Sequence, residues 1–331
     1  IMQFTGKDNP FTYTLTGLIF SCVFCIAVFI TWYTTWEAKD VQQPSTFKVD
    51  KQRSSGLINH LKYLVLDLFS SFRIRAFRLH IIIYIFSFTA MDVFGSVFTY
   101  YVVYCLSQDA AAVSGWLSIA AFASVPGTYG FMLLLNRLNV SPSAALRLSY
   151  GGIFFVLVFL FTVYLTKTQV PTLLFTAVFI LLGAARSGLY YIPWNIYSFI
   201  PDIDEMVTQQ RREGIFAGVM VLTRKSTVAI AIMIIGLVLQ ESGFVKGGGA
   251  QPESALGAII GLMIFATAAL LAVSFFTTYK FKLTRDTHKL LLKEIARRKL
   301  GGDYRDCDAN TRVVIKQLTG YEYDQVWGGD E

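Results

Sequence analysis

The sequence predicts an all-α protein that crosses a membrane several times. Of its 331 residues, 54% are hydrophobic and only 15% are charged, and the mean hydropathy is +0.51. A soluble domain would expose too much of this apolar surface to water. Seven apolar stretches are each long enough to cross the ~30 Å hydrocarbon core of a bilayer as a helix. Strands are excluded because the stretches do not alternate in polarity and because open sheet edges leave backbone groups unpaired in lipid.

One predicted span precedes a long hydrophilic loop, and six predicted spans follow it. Together they cover residues 11–36, 80–106, 112–135, 148–166, 171–199, 215–240 and 255–279. This division is typical of the last helix of one bundle followed by a complete second bundle. The predicted organisation is a transmembrane helix within 1–36, a central loop at 37–79, a six-helix bundle at 80–279 and a tail at 280–331.

The distribution of Lys and Arg predicts the orientation of these spans. With seven alternating spans, one side of the membrane carries 23 basic residues, in the central loop, two short connections and the tail. The other side carries only Lys7, Lys167 and Lys246. Since cytoplasmic segments hold the excess of basic residues, the central loop and the C-terminal tail are predicted to be cytoplasmic.

Two segments outside the spans carry helical patterns. Residues 57–69 place apolar side chains on one face, which predicts an amphipathic helix on the cytoplasmic membrane surface. This helix is either a latch between bundles or a linker that rests on the lipid. Residues 283–300, LTRDTHKLLLKEIARRKL, predict a short surface helix in the tail.

Four charged side chains fall within predicted spans: Asp92, Arg186, Arg224 and Lys225. A charge at the bilayer centre costs about 2.5–3.5 kcal/mol on insertion scales, so such residues usually face a partner or water. Lys225 and Asp92 lie at similar depth, which makes a contact between them geometrically possible. The contact would be either a site that responds to substrate or ion, or a static pair. Arg224 points about 100° away from Lys225 and is available to another helix.

The span 171–199 combines helix-weakening residues with aromatic ones. Gly183, Gly188 and Pro193 predict a kink, and four aromatic residues lie close to it: Tyr190, Tyr191, Trp194 and Tyr197. Aromatic faces stack on the apolar faces of sugar rings, which makes Tyr190 and Trp194 candidate ligand contacts. Anchoring at the membrane interface is the alternative for Trp194 and Tyr197.

A compact cluster of charges lies between the fifth and sixth spans. It contains Asp202, Asp204, Glu205, Arg211, Arg212 and Glu213. The cluster is either an ordinary exposed loop or a network of ion pairs that forms and breaks as bundles move. Five of its members form a candidate cytoplasmic gate: Asp202, Asp204, Arg211, Arg212 and Glu213.

Motifs of other functional classes are missing from the sequence. The three His are dispersed, and Cys22 and Cys25 form a C-x-x-C inside an apolar span without a flanking His or acid, so neither a metal site nor a disulfide framework is expected. No zinc-protease, serine-hydrolase or P-loop motif occurs, so we expect neither an enzyme nor a bound cofactor. The net charge of +7 follows from the cytoplasmic segments, and no nucleic-acid partner is expected.

The entrance to the sixth span resembles a family signature. The stretch PDIDEMVTQQRREGIFAGVMVLTRKS, residues 201–226, is similar to the motif D-Y-D-E-x-x-T-G-x-R-R-E-G and the Lys-containing span of the glycoside–pentoside–hexuronide:cation symporters. These form the melibiose-permease-like branch of the major facilitator superfamily. The tail sequence LTGYEYDQVWGG, residues 318–329, also resembles that family. Two positions depart from it, because Phe199 replaces a common Asp and Gln209 replaces a Gly.

The resemblance implies the C-terminal six-helix bundle of a major facilitator transporter, together with the last helix of its N-terminal bundle. It implies symport of a glycoside, uronide or oligosaccharide with Na⁺ or H⁺, by alternating access across a bacterial inner membrane. Lys225 would couple the ion and sugar regions, and Tyr190 would stack on the sugar. The ion site is expected on the N-terminal bundle of the same transporter, upstream of this chain.

Alternatives for the cargo stay open. Arg186, Arg224 and Lys225 would suit an acidic sugar. A lysophospholipid carrier of the same superfamily would need an apolar lateral opening. A non-transporting membrane sensor would need a recognisable soluble partner domain, and the tail of about 50 residues offers none.

Overall fold

The computed structural model describes residues 10–35, 68–108, 110–167, 170–247 and 249–327. Within these residues all regular structure is helical, and seven helices are long and apolar enough to cross a membrane. The seven predicted spans and the all-α class are therefore confirmed. Residues 57–67 of the predicted amphipathic helix lie outside the described residues.

The chain forms two compact units, residues 1–61 and 62–331. In the first unit the described residues form helix α1, Pro10–Thr34. Large side chains along this helix, such as Phe20, Phe24 and Trp32, are exposed. Such a surface suits a helix that meets lipid or a protein partner.

The second unit contains six membrane-length helical spans and a helical tail. Its helices are α2 (Arg75–Tyr100), α3 (Ala110–Asn136), α4 (Pro142–Thr166), α5 (Thr172–Tyr197), the short α6 (Ile200–Thr208), α7 (Glu213–Glu241), α8 (Glu253–Ile260), α9 (Thr267–Lys280), α10 (Arg285–Lys299) and α11 (Ala309–Thr319). A π-helical turn, Tyr101–Cys105, extends α2. A second one, Gly261–Ala266, joins α8 and α9 into one span.

Helix ends follow local capping chemistry. The side chain of Ser141 accepts a hydrogen bond from the N–H of Ala144 at 3.3 Å, and Pro142 takes the first position of α4. Thr284 and Thr287 form a capping box at the start of α10. Two spans begin five or six residues earlier than predicted, at Arg75 rather than residue 80 and at Pro142 rather than residue 148. Polar residues at the membrane interface prolong these helices, since long basic side chains reach the headgroup region.

Helix α5 packs closely against both α3 and α4. A Cβ atom at Gly183 would lie 2.0 Å from the carbonyl oxygen of Ala120 on α3, and one at Gly188 would lie 2.0 Å from Ser149 Oγ on α4. Small residues let helix backbones approach closely in membranes. The predicted helix-weakening glycines therefore serve packing, and α5 runs unbroken with Pro193 inside it.

Buried hydroxyl groups connect α2, α4 and α9. Ser87 on α2 lies 2.9 Å from the hydroxyl of Tyr150 on α4 and donates to Ser274 on α9 at 3.2 Å. Ser274 in turn donates to the carbonyl of Ile83 at 3.3 Å. Buried polar groups need such partners, because an unpaired one costs about 1–3 kcal/mol.

The tail folds back onto the end of the unit where α2 begins. Helix α10 packs against α6, and α11 packs against α6 and α2. Within the tail, Arg297 donates two hydrogen bonds to Glu294 at 2.9 and 2.7 Å, and the hydroxyl of Tyr323 also donates to Glu294. Burial alone would raise the pKa of Glu294, but these hydrogen bonds outweigh it and lower that pKa. The predicted tail helix is present, as part of an ordered cap.

Candidate functional site

An intramembrane ion pair joins α2 to α7. The guanidinium of Arg224 donates to both carboxylate oxygens of Asp92, with Nη1 2.5 Å from Oδ2 and Nη2 2.8 Å from Oδ1. The two side chains are 19% and 23% exposed. Two parallel hydrogen bonds fix the geometry of the pair, and each charge compensates the other in a region where an isolated charge is costly.

The partner of Asp92 is therefore Arg224, and the contact with Lys225 considered from the sequence is wrong. Lys225 is exposed, and it has no hydrogen-bond or ion-pair partner among the residues that the structure describes. Neighbouring residues on a helix point about 100° apart, so only one of the two cations can face α2. Helix α7 is apolar around most of its circumference, and its hydrophobic pattern does not fix its rotation about its axis.

Cations and aromatic rings alternate across the face next to this ion pair. The guanidinium carbon of Arg224 lies 5.3 Å from the ring centre of Phe88. Phe88 packs edge-to-face against Tyr190, with ring centres 4.7 Å apart. The guanidinium carbon of Arg186 lies 5.0 Å from the Tyr190 ring centre, and its Nη2 donates to the Tyr190 hydroxyl at 3.0 Å. Together with Asp92, these residues form what we call the cation–aromatic face.

Trp194 extends this face by one helical turn. The residue is 46% exposed, and its ring packs edge-to-face against Tyr84 and Tyr197, with ring centres 5.9 Å away in both cases. The hydroxyl of Tyr197 donates to the carbonyl of Glu213 at 2.9 Å, which ties the end of α5 to the start of α7. The wall of aromatic rings thus leads from the ion pair towards the charged cluster.

Sequence reasoning did not identify Tyr84 and Phe88. Both lie on the same face of α2 as Asp92, because residues four positions apart are neighbours on a helix surface. That spacing from an intramembrane acid was the signal that could have revealed them. The face therefore draws on α2, α5 and α7.

The five candidate gate residues form two separate groups of ion pairs, one around Arg212 and one around Arg211. Arg212 makes two hydrogen bonds to the buried carboxylate of Asp204, at 2.8 and 2.7 Å, and donates a third to Ser70 Oγ at 2.9 Å. Arg211 lies 2.6 Å from Glu213 and 3.5 Å from Asp202. The structure brings all five together; their action as a gate stays a prediction.

The tail contacts this gate through residues that the sequence did not single out. His288 Nε2 lies 2.7 Å from Asp202 Oδ2, and its ring stacks on Phe199 with ring centres 4.2 Å apart. Lys299 lies 2.5 Å from Glu205. Phe199, where the resembling family commonly has an Asp, thus contributes a packing surface for the tail in place of a charge. No local signal could have revealed contacts between segments so distant along the chain.

No cluster of three or more metal-ligating side chains occurs within the described residues. Arg186 donates to Tyr190, and the other charged groups of the cation–aromatic face and the candidate gate are paired with opposite charges. They can bind and orient polar ligands through guanidinium and carboxylate groups, and the aromatic rings offer apolar stacking surfaces.

Comparison with known proteins gives the family. The sequence matches the family described as MFS/sugar transport protein over residues 1–285. It is 29% identical over 271 residues to an uncharacterized symporter of the cyanobacterium Synechocystis sp., a match that covers 76% of this chain and 46% of the relative. The chain thus spans about half the length of this curated relative. Because the family match includes all seven apolar helices and the cation–aromatic face, the chain belongs to the sugar-transport family of the major facilitator superfamily, as a multi-pass, all-α membrane protein.

Proposed function

We propose that this chain is the C-terminal portion of a secondary transporter that carries a sugar together with Na⁺ or H⁺ by alternating access. The observation that carries the proposal is the cation–aromatic face, where Arg186, Tyr190, Phe88, Arg224 and Asp92 lie in one connected series. The sugar-transport family of the chain and the description of its relative as a symporter support it.

Substrate binding on this face would use two kinds of contact. The ring of Tyr190 offers a stacking surface for the apolar face of a pyranose, and the Trp194 ring offers a second, exposed one. Arg186 and Arg224 supply hydrogen-bond donors for hydroxyl or carboxylate oxygens. Since Arg186, Arg224 and Lys225 outnumber Asp92, the face would also suit a uronide or an acidic oligosaccharide, beside a neutral glycoside.

Ion coupling would use Lys225 on the exposed side of α7. Its side chain has no partner within the described residues, and a cation in the membrane requires a carboxylate, a ligand or water. We assign these contacts to the N-terminal bundle of the same transporter, where the Na⁺ or H⁺ site is expected. No cofactor and no chemical conversion of the sugar are part of this proposal.

Alternating access would make and break the gate. The ion pairs of Arg211 and Arg212, with the tail bound to α6, would close the cytoplasmic side while the site opens outward. Basic residues are concentrated in the tail and in the central loop, which supports a cytoplasmic C-terminus. The membrane that we propose is a bacterial inner membrane.

Uptake by the full-length protein in liposomes tests the proposal. A radiolabelled neutral glycoside, a uronide and an acidic oligosaccharide are offered in turn under an imposed Na⁺ or H⁺ gradient. We expect gradient-dependent accumulation of at least one sugar, and Tyr190→Ala should weaken its binding more than Tyr190→Phe, which keeps the ring. Equal effects of the two variants would refute stacking, and accumulation of none of the sugars would refute sugar symport.

A lysophospholipid carrier is the second candidate, and one observation favours it. An apolar crevice of about 420 Å³ lies between α2, α7 and the last span. It is lined by hydrocarbon side chains, among them Ile85, Ile230 and Leu270, and could accept an acyl chain. If lysophosphatidylglycerol, and none of the sugars, is taken up by the same liposomes, this candidate replaces the first.

A further inference from the structure

A second, larger cavity lies at the end of the bundle opposite the tail. Its volume is about 1120 Å³, and its walls come from the end of α2, from α3, from the end of α4 and from the starts of α5 and α8. Small-molecule sites typically enclose about 300–1,000 Å³, so this cavity could hold a ligand of several rings. None of the residues that line it belongs to the cation–aromatic face or to the gate.

Aromatic side chains form an apolar wall of this cavity. Trp116 stacks on Phe175 with ring centres 4.7 Å apart and ring planes 15° from parallel. Trp116 also stacks on Phe179, which does not line the cavity, with ring centres 5.8 Å apart. This second contact helps to fix the position of the indole. Tyr104 and Tyr164 line the same cavity. Flat rings of this kind suit the apolar faces of other rings.

Polar side chains line the rest of the cavity. They are Ser107, Gln108, Lys167, Thr172 and Glu253. Within the part of the chain that the structure describes, none of these side chains has a hydrogen-bond or ion-pair partner, and neither do the hydroxyls of Tyr104 and Tyr164. Donors and acceptors are therefore both available. One cation and one anion balance each other, which favours a neutral ligand.

Uncommon backbone conformations shape the mouth of this cavity. Ser107 and Lys167 adopt positive φ angles of 53° and 49°, which non-glycine residues rarely do. The π-helical turn Tyr101–Cys105 directly precedes this rim, and π-helical turns are frequent at functional sites. Three local departures from regular helix thus meet at one opening.

We propose that this cavity binds a neutral, hydroxyl-rich ligand of the carbohydrate class at the outer face, separately from the transport site. The aromatic wall would stack on the pyranose rings, and the free polar groups would bind the hydroxyls. This inference rests on the proposed function, because it takes the cargo to be a sugar and the tail to be cytoplasmic. Sugar held there would be concentrated next to the transport path before it enters.

Protection of an engineered thiol tests the proposal. In the full-length transporter with its native cysteines replaced by Ser, Ser107→Cys places a reporter on the rim, and Val245→Cys places a control thiol on the connection between α7 and α8, outside the cavity lining. Proteoliposomes free of glycolipid are treated with a membrane-impermeant maleimide, with and without lactose, maltose or raffinose, and with galacturonate as the acidic comparison. We expect at least one sugar to slow labelling of the rim thiol by about fourfold at three times its Kd. Labelling of the control thiol should not change.

Two further variants make each outcome decisive. Trp116→Leu should abolish protection of the rim thiol, whereas Tyr190→Ala, which disables the proposed transport site, should leave it intact. Protection that disappears with Tyr190→Ala, that appears equally at the control thiol, or that only galacturonate provides would overturn the proposal. If no sugar protects while gradient-driven uptake persists, the outer site is refuted and the proposed function stands. If sugars protect but none is taken up, the outer site stands and sugar symport is refuted.

Discussion

Helices α5 and α7 belong to the same bundle and have similar apolar compositions, but they are held in opposite ways. Helix α5 packs against α3 and α4 so closely that a methyl group at Gly183 or Gly188 would collide with a neighbouring helix. Helix α7 has few buried residues, and an apolar crevice separates part of it from α2 and the last span. The cation–aromatic face lies where the tightly packed region meets the loosely packed helix.

The two helices differ in how they use small residues. In lipid, apolar side chains gain little by leaving one hydrocarbon environment for another, so helices associate through close packing and polar contacts. Helix α5 uses its glycines for close packing. On α7, a Cβ atom at Gly236 would meet no atom within 4 Å, and its specific contacts include the Arg224–Asp92 pair and the edge-to-face packing of Phe216 on Phe77 at 4.8 Å. Only six of its 29 residues are buried, so α7 is held less tightly than α5.

The largest expected effect comes from Gly183→Ala. The new methyl group would lie 2.0 Å from the carbonyl oxygen of Ala120, and overpacking of this kind costs about 1–3 kcal/mol. We expect a lower thermal midpoint in detergent, measured by size-exclusion chromatography after heating. Gly130→Ala on α3 is the matched control, because its methyl group would meet no atom within 4 Å and Ala favours a helix by about 0.5–1 kcal/mol. Equal behaviour of the two variants would contradict close packing of α3 on α5.

Effects of intermediate size are expected for variants of the two neighbouring cations of α7, and the two variants should differ in thermal stability. Arg224→Ala leaves Asp92 without its partner, so we expect a lower thermal midpoint and at least a tenfold loss of uptake, about 1.4 kcal/mol. Lys225→Ala breaks no contact within the described residues. It should therefore lower the midpoint less than Arg224→Ala does, and yet abolish accumulation.

One control, Arg224→Lys, completes this pair of variants. Arg224→Lys keeps the charge and loses the two-bonded geometry, and should fall between wild type and Arg224→Ala in thermal midpoint. Normal accumulation by Lys225→Ala would end the coupling role proposed for that residue, and an unchanged midpoint for Arg224→Ala would show that the ion pair does not hold α7.

The smallest expected effect concerns the connection between α6 and α7. Gln209 adopts a φ of 58°, a left-handed conformation that costs a non-glycine residue about 1–2 kcal/mol. Gln209→Gly, which restores the residue of the resembling family, should raise the free energy of unfolding by about 0.5–1 kcal/mol, since the flexibility of Gly offsets part of the gain. Gln210→Gly has no such strain to relieve and should lower stability. A stabilising Gln210→Gly, or a destabilising Gln209→Gly, would contradict this reasoning.

Much of the fold follows from the sequence, and the site follows from it in part. Span number and order were predictable because hydropathy is averaged over about 20 residues. Asp92, Arg186 and Tyr190 could be identified because a charge or a clustered aromatic in an apolar span is rare. The partner of Asp92 could not be identified, since the choice between Arg224 and Lys225 depends on the rotation of α7, which a uniformly apolar pattern leaves open.

Contacts between segments distant along the chain were the other feature that the sequence could not predict. His288 meets Asp202 only because the tail folds back across the bundle, and nothing local in LTRDTHKLLL indicates that partner. The cavity opposite the tail combines residues from five helices and their connections, each of which alone resembles an ordinary interfacial segment. In both cases the relevant property belongs to packing between segments and not to any one of them.

Glu213 both binds Arg211 in the gate and begins α7. A helix is stiff along its axis and rises 1.5 Å per residue, which places Arg224 roughly 16 Å beyond Glu213. An axial shift of Glu213 would therefore be passed along α7 to Arg224. In the mechanism that we propose, release of the candidate gate and disturbance of the Arg224–Asp92 pair would be a single mechanical event.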